Sequence, residues 1–209
     1  MYVPAPFRQD DPAELRRLMR AHPFATLVTV GPDGAPFASH VPLLVEDGED
    51  GALFLRTHLA RANEQWRHFS GAAEALAIFH GPHALVQSQW YDSAPNVPTW
   101  NYAAVHAYGP VRLTEDAETT RGIAYRLVAQ HTPDMPPVPE EYERRLLAAV
   151  VTCELRVTRL EGKYKLSQNK SDADRANVRR ELAASNDPGE RGTAALMGKE
   201  VRASASAPS

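Results

Sequence analysis

Residues 24–58 run FATLVTV (24–30), GPDG (31–34), APFASHVPLLV (35–45), then through DGEDG (47–51) to ALFLRTH (52–58). Alternating β-branched and apolar residues between clusters of Gly, Asp and Pro predict three strands joined by two tight turns, an antiparallel meander. Upstream, Asp10 and Asp11 precede Pro12, and Leu15, Leu18 and Met19 follow at helical spacing. That pattern predicts a short amphipathic helix stopped by His22-Pro23. Downstream, a helix from about Ala60 to Phe69, ending at Gly71, precedes further strand patterns in EALAIFH (74–80) and ALVQSQW (84–90), separated by Gly81-Pro82. After the loop YDSAPNVPT (91–99) comes the long strand pattern WNYAAVHAYGPVRL (100–113).

Residues 116–130 and 139–148 read as helices flanking the Pro-rich 131–139. AVVTCELRVTRLEG (149–162) restores period-two alternation, with Val151, Cys153, Leu155 and Val157 on one face. At least six strands joined mainly by turns, with helices between blocks, predict a mainly β (α+β) antiparallel barrel with peripheral helices rather than a βαβ sheet. Ser171 is placed to cap a last helix over 172–184. From 185 to 209 no periodic apolar face is visible, so the expected organisation is one domain over 1–184 and a disordered tail beyond it.

With 209 residues, 43% hydrophobic and 23% charged, the chain has the material for one sizeable core. Basic residues number 23 against 26 acidic, a net charge of -3, which excludes a uniformly basic polyanion binder. Cys153 is the single cysteine, so no intrachain disulfide forms and a cytoplasmic setting is expected. No signal-peptide pattern and no apolar window long enough to span a bilayer is found, so no membrane partner is expected.

The common catalytic signatures are absent: no G-x-S-x-G, no H-E-x-x-H and no G-x-G-x-x-G, and Gly192 to Gly198-Lys199-Glu200 has the wrong spacing for a P-loop. No metal site is expected, because His80 and His83 lack a third ligand and read as turn histidines. Cys153 lies on an apolar strand face and reads as core rather than nucleophile. In LFLRTHLARAN (53–63), the Thr57 hydroxyl, the Arg61 guanidinium and the backbone N–H groups of a helix start could receive a phosphate monoester. An ordinary strand-to-helix turn with a solvated Arg is the other reading. VPTWNY (97–102) and KLSQNK (165–170) gather amides, hydroxyls, a lysine and a tryptophan, a mixture suited to the edge and face of a flat heterocycle. A loop-anchoring Trp beside helix-capping polar residues would look the same.

Together MYVPAPF, HPFATLVT, SHVPLL, HLARANEQW, GPHALVQSQWY, VPTWNYAAVHAYG and KLSQNKSDADR resemble the PaiB-type family of FMN-binding negative transcriptional regulators. That family is related to pyridoxamine-phosphate oxidase-like flavoproteins. The resemblance implies a split β-barrel that forms a homodimer and holds FMN in clefts between subunits. It places Ser39, His40 and Val41 along the flavin, Thr57, His58, Arg61 and Asn63 around its phosphate, and Trp100, Asn101, Lys165, Ser167 and Gln168 as the remaining contacts. Where related sequences often show an aromatic and a proline, this chain has Ala84-Leu85-Val86 and Gln87-Ser88-Gln89.

Two functions follow from the resemblance. As an FMN-binding homodimeric transcriptional regulator the protein would contact DNA. Residues 156–202 carry 11 basic and 7 acidic side chains, net +4, and Arg175, Arg179 and Arg180 on the last helix are the candidate phosphate contacts. A solvated, ion-paired helix face is the other reading of those arginines. As an FMN-dependent oxidoreductase acting on a nicotinamide or small organic substrate, the protein would need no conspicuous acid or base, since the flavin supplies the redox chemistry.

Overall fold

The computed structural model describes residues 1–69, 74–114 and 116–199. In chain order its elements are β1 (Arg8–Gln9), α1 (Pro12–Ala21), β2 (Phe24–Val30), β3 (Pro36–Pro42), β4 (Leu44–Asp47), β5 (Leu53–Ala60), β6 (Glu74–Val86), β7 (Thr99–Thr114), α2 (Ala117–His131), α3 (Glu140–Ala148), β8 (Val150–Arg156), β9 (Arg159–Lys165), α4 (Asp172–Ala184) and α5 (Pro188–Met197). The strands follow the order β3-β2-β6-β7-β8-β5-β4, with β9 beside β7 and β1 beside β9. This is the expected mainly β class, an antiparallel sheet with peripheral helices, and the sheet is open rather than closed. Among the described residues no helix is long and apolar enough to cross a membrane. The described residues fall into two compact units, one drawn from Met1–Leu18, His80–Val105 and the described residues from Glu161 onward, the other from the described residues of Met19–Phe79 and His106–Leu160.

In the second of these units, β2 and β3 pair without interruption from Phe24↔Pro42 to Val30↔Pro36. Their turn closes through Gly34, whose φ of 81° is costly for any side chain. The expected meander then departs from the sequence reading. Its middle strand divides at Leu43, because Pro42 has no N–H to continue the ladder and Leu43 N donates instead to Pro23 O at 2.9 Å. Beyond that point β4 takes a new partner, pairing with β5 from Leu44↔Arg56 to Asp47↔Leu53. The other edge of β5 pairs with β8 along its whole length, Phe54↔Arg156 to Ala60↔Val150. Alternate residues Leu53, Leu55 and Leu59 of β5 and Val151, Cys153 and Leu155 of β8 are buried as the period-two pattern requires. Val157 does not extend that face: β8 ends at Arg156, and Val157 N turns to Leu53 O at 2.8 Å. Burial pushes the Cys153 thiol up to about 12, so it stays a protonated core group. On α2, Ile123 and Leu127 pack with Leu44.

The helix expected from Ala60 forms only as a 3-10 segment over Glu64–Phe69. Asn63 interrupts it: its N donates to Ala60 O at 2.8 Å, and its Oδ1 accepts from Gln65 N at 3.0 Å. Gln65 is turned into the interior, where its amide donates to Leu27 O at 2.8 Å. The expected stop at Gly71 lies outside the described residues.

In the first unit, β6 runs unbroken through Gly81-Pro82, where the sequence pattern suggested two strands and a turn. Gly81 is needed there for close approach: a Cβ would sit 2.9 Å from Leu18 Cδ1 and 3.0 Å from Ala103 O. Ser171 caps α4 as expected, accepting from Asp174 N at 3.1 Å, and Val178 and Leu182 are buried. The expectation of a tail without structure from 185 is corrected by α5. Asp187 caps it through Gly189 N and Glu190 N, Pro188 occupies its first turn, and Ala194, Leu196 and Met197 are buried. Residues 200–209 lie outside the described residues.

Candidate functional site

Within the second unit, β3, β5 and the turn after β5 carry the residues assigned along the flavin (Ser39, His40 and Val41) and around its phosphate (Thr57, His58, Arg61 and Asn63). Asn63 Nδ2 donates to Ser39 Oγ at 2.8 Å, and His40 Nδ1 lies 3.1 Å from Thr26 Oγ1 across the β2–β3 ladder. Among the described residues His58 Nδ1 is buried with no hydrogen-bond partner, and burial lowers the pKa of the ring below its ordinary 6.5. A buried neutral imidazole nitrogen without a partner is a vacant valence, of the kind a ligand's polar edge would satisfy.

Other residues of the assigned set face inward. Thr57 is 1% exposed and donates its hydroxyl to Pro42 O at 2.7 Å, and Val41 is buried. Arg61 is exposed, yet its guanidinium is already engaged: Nε donates to Ala148 O and Nη2 to Val150 O, both at 3.1 Å. Ala148 O is at the C-terminal end of α3, where unpaired carbonyls and the negative end of the helix dipole attract a cation, and Val150 O opens β8. Two of the five guanidinium N–H groups are thereby used, and the rest remain able to meet an anion.

Sequence reasoning missed the space beside Arg61. A cavity of about 840 Å³ lies under α2 and α3, lined by Arg61, Trp66, Thr120, Arg121, Glu143 and Leu147 among others. Trp66 is fixed by its indole N–H to Arg61 O at 3.0 Å, and Arg121 by an ion pair to Glu143 at 2.7 Å. No sequence signal marks this cavity, since its walls combine residues of β7, β8, α2 and α3 that lie far apart in the chain.

The first unit gathers the other assigned contacts. Asn101 is fully buried, its Nδ2 donating to Ser167 Oγ at 2.9 Å, and Ser167 adopts a φ of 64°, unusual for a residue with a side chain. Lys165 Nζ donates to Thr99 Oγ1 at 2.5 Å and to Trp100 O at 2.6 Å. Burial lowers its pKa, and the charges of Lys163 and Lys170 lower it further. Gln168 is spent on the backbone, accepting from Leu166 N and donating to Tyr164 O. Trp100 is 53% exposed, with the His83 ring 5.9 Å away. On α4 the structure brings Arg175 and Arg179 together around a small hollow with Asp172 and Met197. Arg180 is set apart, bonded to Asn177 and Glu181.

Residues 1–159 match the FMN_bind_2 family, described as "Putative FMN-binding domain". The chain belongs to that family. This FMN_bind_2 chain is 33% identical over 208 residues to "Protease synthase and sporulation protein PAI 2" of Bacillus subtilis (strain 168), covering 97% of the chain and 99% of that protein. It is 28% identical to an uncharacterized protein of Emericella nidulans, covering 85% of the chain and 88% of that protein. The PaiB-type resemblance read from the sequence is therefore confirmed. Among solved structures, the FMN_bind_2 chain shares its fold with the FAD and heme binding protein from Mycobacterium smegmatis, at TM-score 0.60 and 18% identity, covering 81% of this chain and 78% of that one. It likewise matches the flavocytochrome Anf3 from Azotobacter vinelandii at TM-score 0.62 and 15% identity, covering 81% and 75%. These two likenesses support the expected split-barrel fold.

Proposed function

We propose that this chain is an FMN-binding transcriptional regulator of the PaiB type, working as a homodimer in the cytoplasm. The observation that carries the flavin assignment is Asn63 bonded to Ser39, together with a His58 Nδ1 that is buried without a partner among the described residues and an Arg61 guanidinium that is only partly used; His40, the next residue of β3, faces the other side of the sheet. In this reading His58, Arg61 and Asn63 take the anionic end of FMN, Ser39 and His40 lie along the flavin, and Trp100, Asn101, Lys165, Ser167 and Gln168 are the remaining contacts. Val41 and Thr57 act from behind, as packing and as a brace on Pro42 O. FMN, when bound, supplies the redox chemistry; the chain's own residues bind and orient it.

The homodimer reading is supported by the β2–β3 hairpin. β3 ends the strand order, and the hairpin leaves Phe24 66% and Val30 56% exposed. Exposed apolar side chains at both ends of β2, next to the edge strand β3, are surface that association covers. The DNA reading is supported by the net positive 156–202 segment and by Arg175 and Arg179 on one face of α4; Arg180 joins them only from a different direction. Reconstitution of the purified chain with FMN, followed by promoter gel shifts of the loaded protein and of an Arg175→Glu/Arg179→Glu variant, tests the proposal. Flavin retained with the shift abolished is the expected result. A variant that still shifts DNA removes α4 from the DNA surface, and a chain that takes up no FMN removes the flavin.

A further inference from the structure

The cavity of about 840 Å³ under α2 and α3 has the size of a small-molecule site, and every residue that lines it belongs to the second unit. Its sheet side is apolar, with Leu113, Val150 and Val151 contributed by β7 and β8. The Thr120 hydroxyl beside them is spent on Thr152 Oγ1 at 3.0 Å. On the opposite side, α3 buries none of its own residues, and its Leu147 lines the open space. The helix is held at its end by Arg61 and at its flank by the Arg121–Glu143 pair at 2.7 Å. Between those two ties it lacks the apolar contacts that a packed helix makes, and a bound molecule would supply them.

The charges around this space are used unequally. Its cations are taken: Arg121 by Glu143, Arg144 by Glu141, and Arg61 by the carbonyls of Ala148 and Val150. Two of its anions are not. Glu118 and Glu140 both line the cavity, and neither carboxylate has a side-chain partner among the described residues. Each stands in the first turn of its helix, where the positive end of the dipole favours a carboxylate but supplies only part of a counter-charge. Trp66 adds an indole to the wall, and a quaternary ammonium is attracted to an aromatic face.

We propose that this cavity binds an organic cation, an amine or quaternary ammonium carried on an apolar body. Glu118 and Glu140 supply the counter-charge, while Trp66, Leu147 and the apolar strand residues enclose the body. Arg61 is the one lining residue also assigned to FMN, and the proposal rests on neither the flavin nor the DNA reading.

Dansylcholine is a suitable probe, being cationic at one end, apolar at the other and brighter once it leaves water. Dansylglycine and dansylamide carry the same fluorophore with a negative charge and with none. Titration of the full chain at low salt should give one dansylcholine per chain, bound at least tenfold more tightly than dansylglycine. Glu118→Gln and Glu140→Gln, both at exposed positions, should each weaken dansylcholine at least threefold and leave dansylamide unchanged. Ala117→Phe puts a ring into the cavity and should weaken dansylcholine and dansylamide alike. Glu49→Gln, which removes a charge elsewhere in the second unit, should alter neither. Dansylglycine bound as tightly as dansylcholine, or dansylcholine unaffected by the Glu118→Gln/Glu140→Gln pair, overturns the proposal. Binding that Ala117→Phe leaves intact places the probe elsewhere and overturns it too. Dansylcholine should bind the FMN-loaded chain without releasing flavin; mutual displacement would make the cavity part of the flavin site and overturn it as a separate one. A chain that refuses FMN yet binds dansylcholine in the expected pattern overturns only the flavin reading.

Discussion

Replacing Arg61 with alanine separates two jobs that the structure gives to one side chain. In the chain alone, its guanidinium ties the end of α3 through Ala148 O and Val150 O, both at 3.1 Å and both at the protein surface. Two solvent-exposed, charge-assisted bonds of this kind contribute about 1 kcal/mol together once screening is allowed for. In a chain of this length that corresponds to a fall in Tm of roughly 2–4 °C without any flavin. If the remaining N–H groups also meet the FMN phosphate, losing them costs a further 2–3 kcal/mol of binding, about a 30- to 150-fold rise in Kd. Quenching of FMN fluorescence on titration measures the second quantity, and thermal unfolding of flavin-free protein the first. Arg61→Lys should recover part of the flavin affinity, because it restores a charge, but little of the helix-end anchoring, which needs the two-pronged guanidinium. Flavin affinity unchanged in Arg61→Ala would refute the phosphate role, and an unchanged apo Tm would refute the anchoring.

Other consequences can be measured directly. Gly109→Ala would set a Cβ 1.8 Å from Arg156 O, so the β7–β8 contact must open; the variant should lose at least about 2 kcal/mol in urea unfolding or fail to fold. Because the folded chain holds His58 below the ordinary imidazole value, the unfolded chain binds more protons as pH falls past 6.5, and stability should decline there; His58→Gln should flatten that limb of a Tm-against-pH curve. Cys153 should resist Ellman's reagent at pH 8 in the native protein and react fully in denaturant, whereas fast native labelling would contradict its place in the β8 core. Anaerobic addition of NADH or NADPH to the FMN-loaded chain separates the regulator from the oxidoreductase: persistence of the oxidised flavin spectrum is expected for the former, and rapid bleaching would favour the latter.

Strand content was legible because alternation is local: FATLVTV, ALFLRTH and VVTCELR each carry their buried face in their own sequence. What escaped depended on partners elsewhere in the chain. Gly81-Pro82 reads as a turn, and only the closeness of Leu18 and Ala103 shows why a glycine sits inside a strand. Helix α5 was invisible because PGERGTAALM has two glycines and buries its apolar residues only near its end, against neighbours the sequence does not reveal. The candidate site was legible as a set of residue types through family likeness. It was not legible as an arrangement, since nothing in LFLRTHLARAN says that Arg61 reaches α3 or that Thr57 spends its hydroxyl on Pro42 O. The pairing of β1 with β9 was hidden for the same reason: Arg8 and Lys163 are far apart in sequence and meet only through the ladder.

The handover at Leu43 makes the stretch around it intolerant of length change. A single codon gained or lost between 41 and 45 would turn over one hairpin relative to the other, sending Val41 outward or Leu44 into water. The same change inside 132–139, a stretch between α2 and α3 that pairs with no strand, would be absorbed there. Deep insertion scanning should therefore find a narrow forbidden zone at that handover, flanked by permissive stretches, and library designs that shuffle segments of this protein should place their joints well away from it.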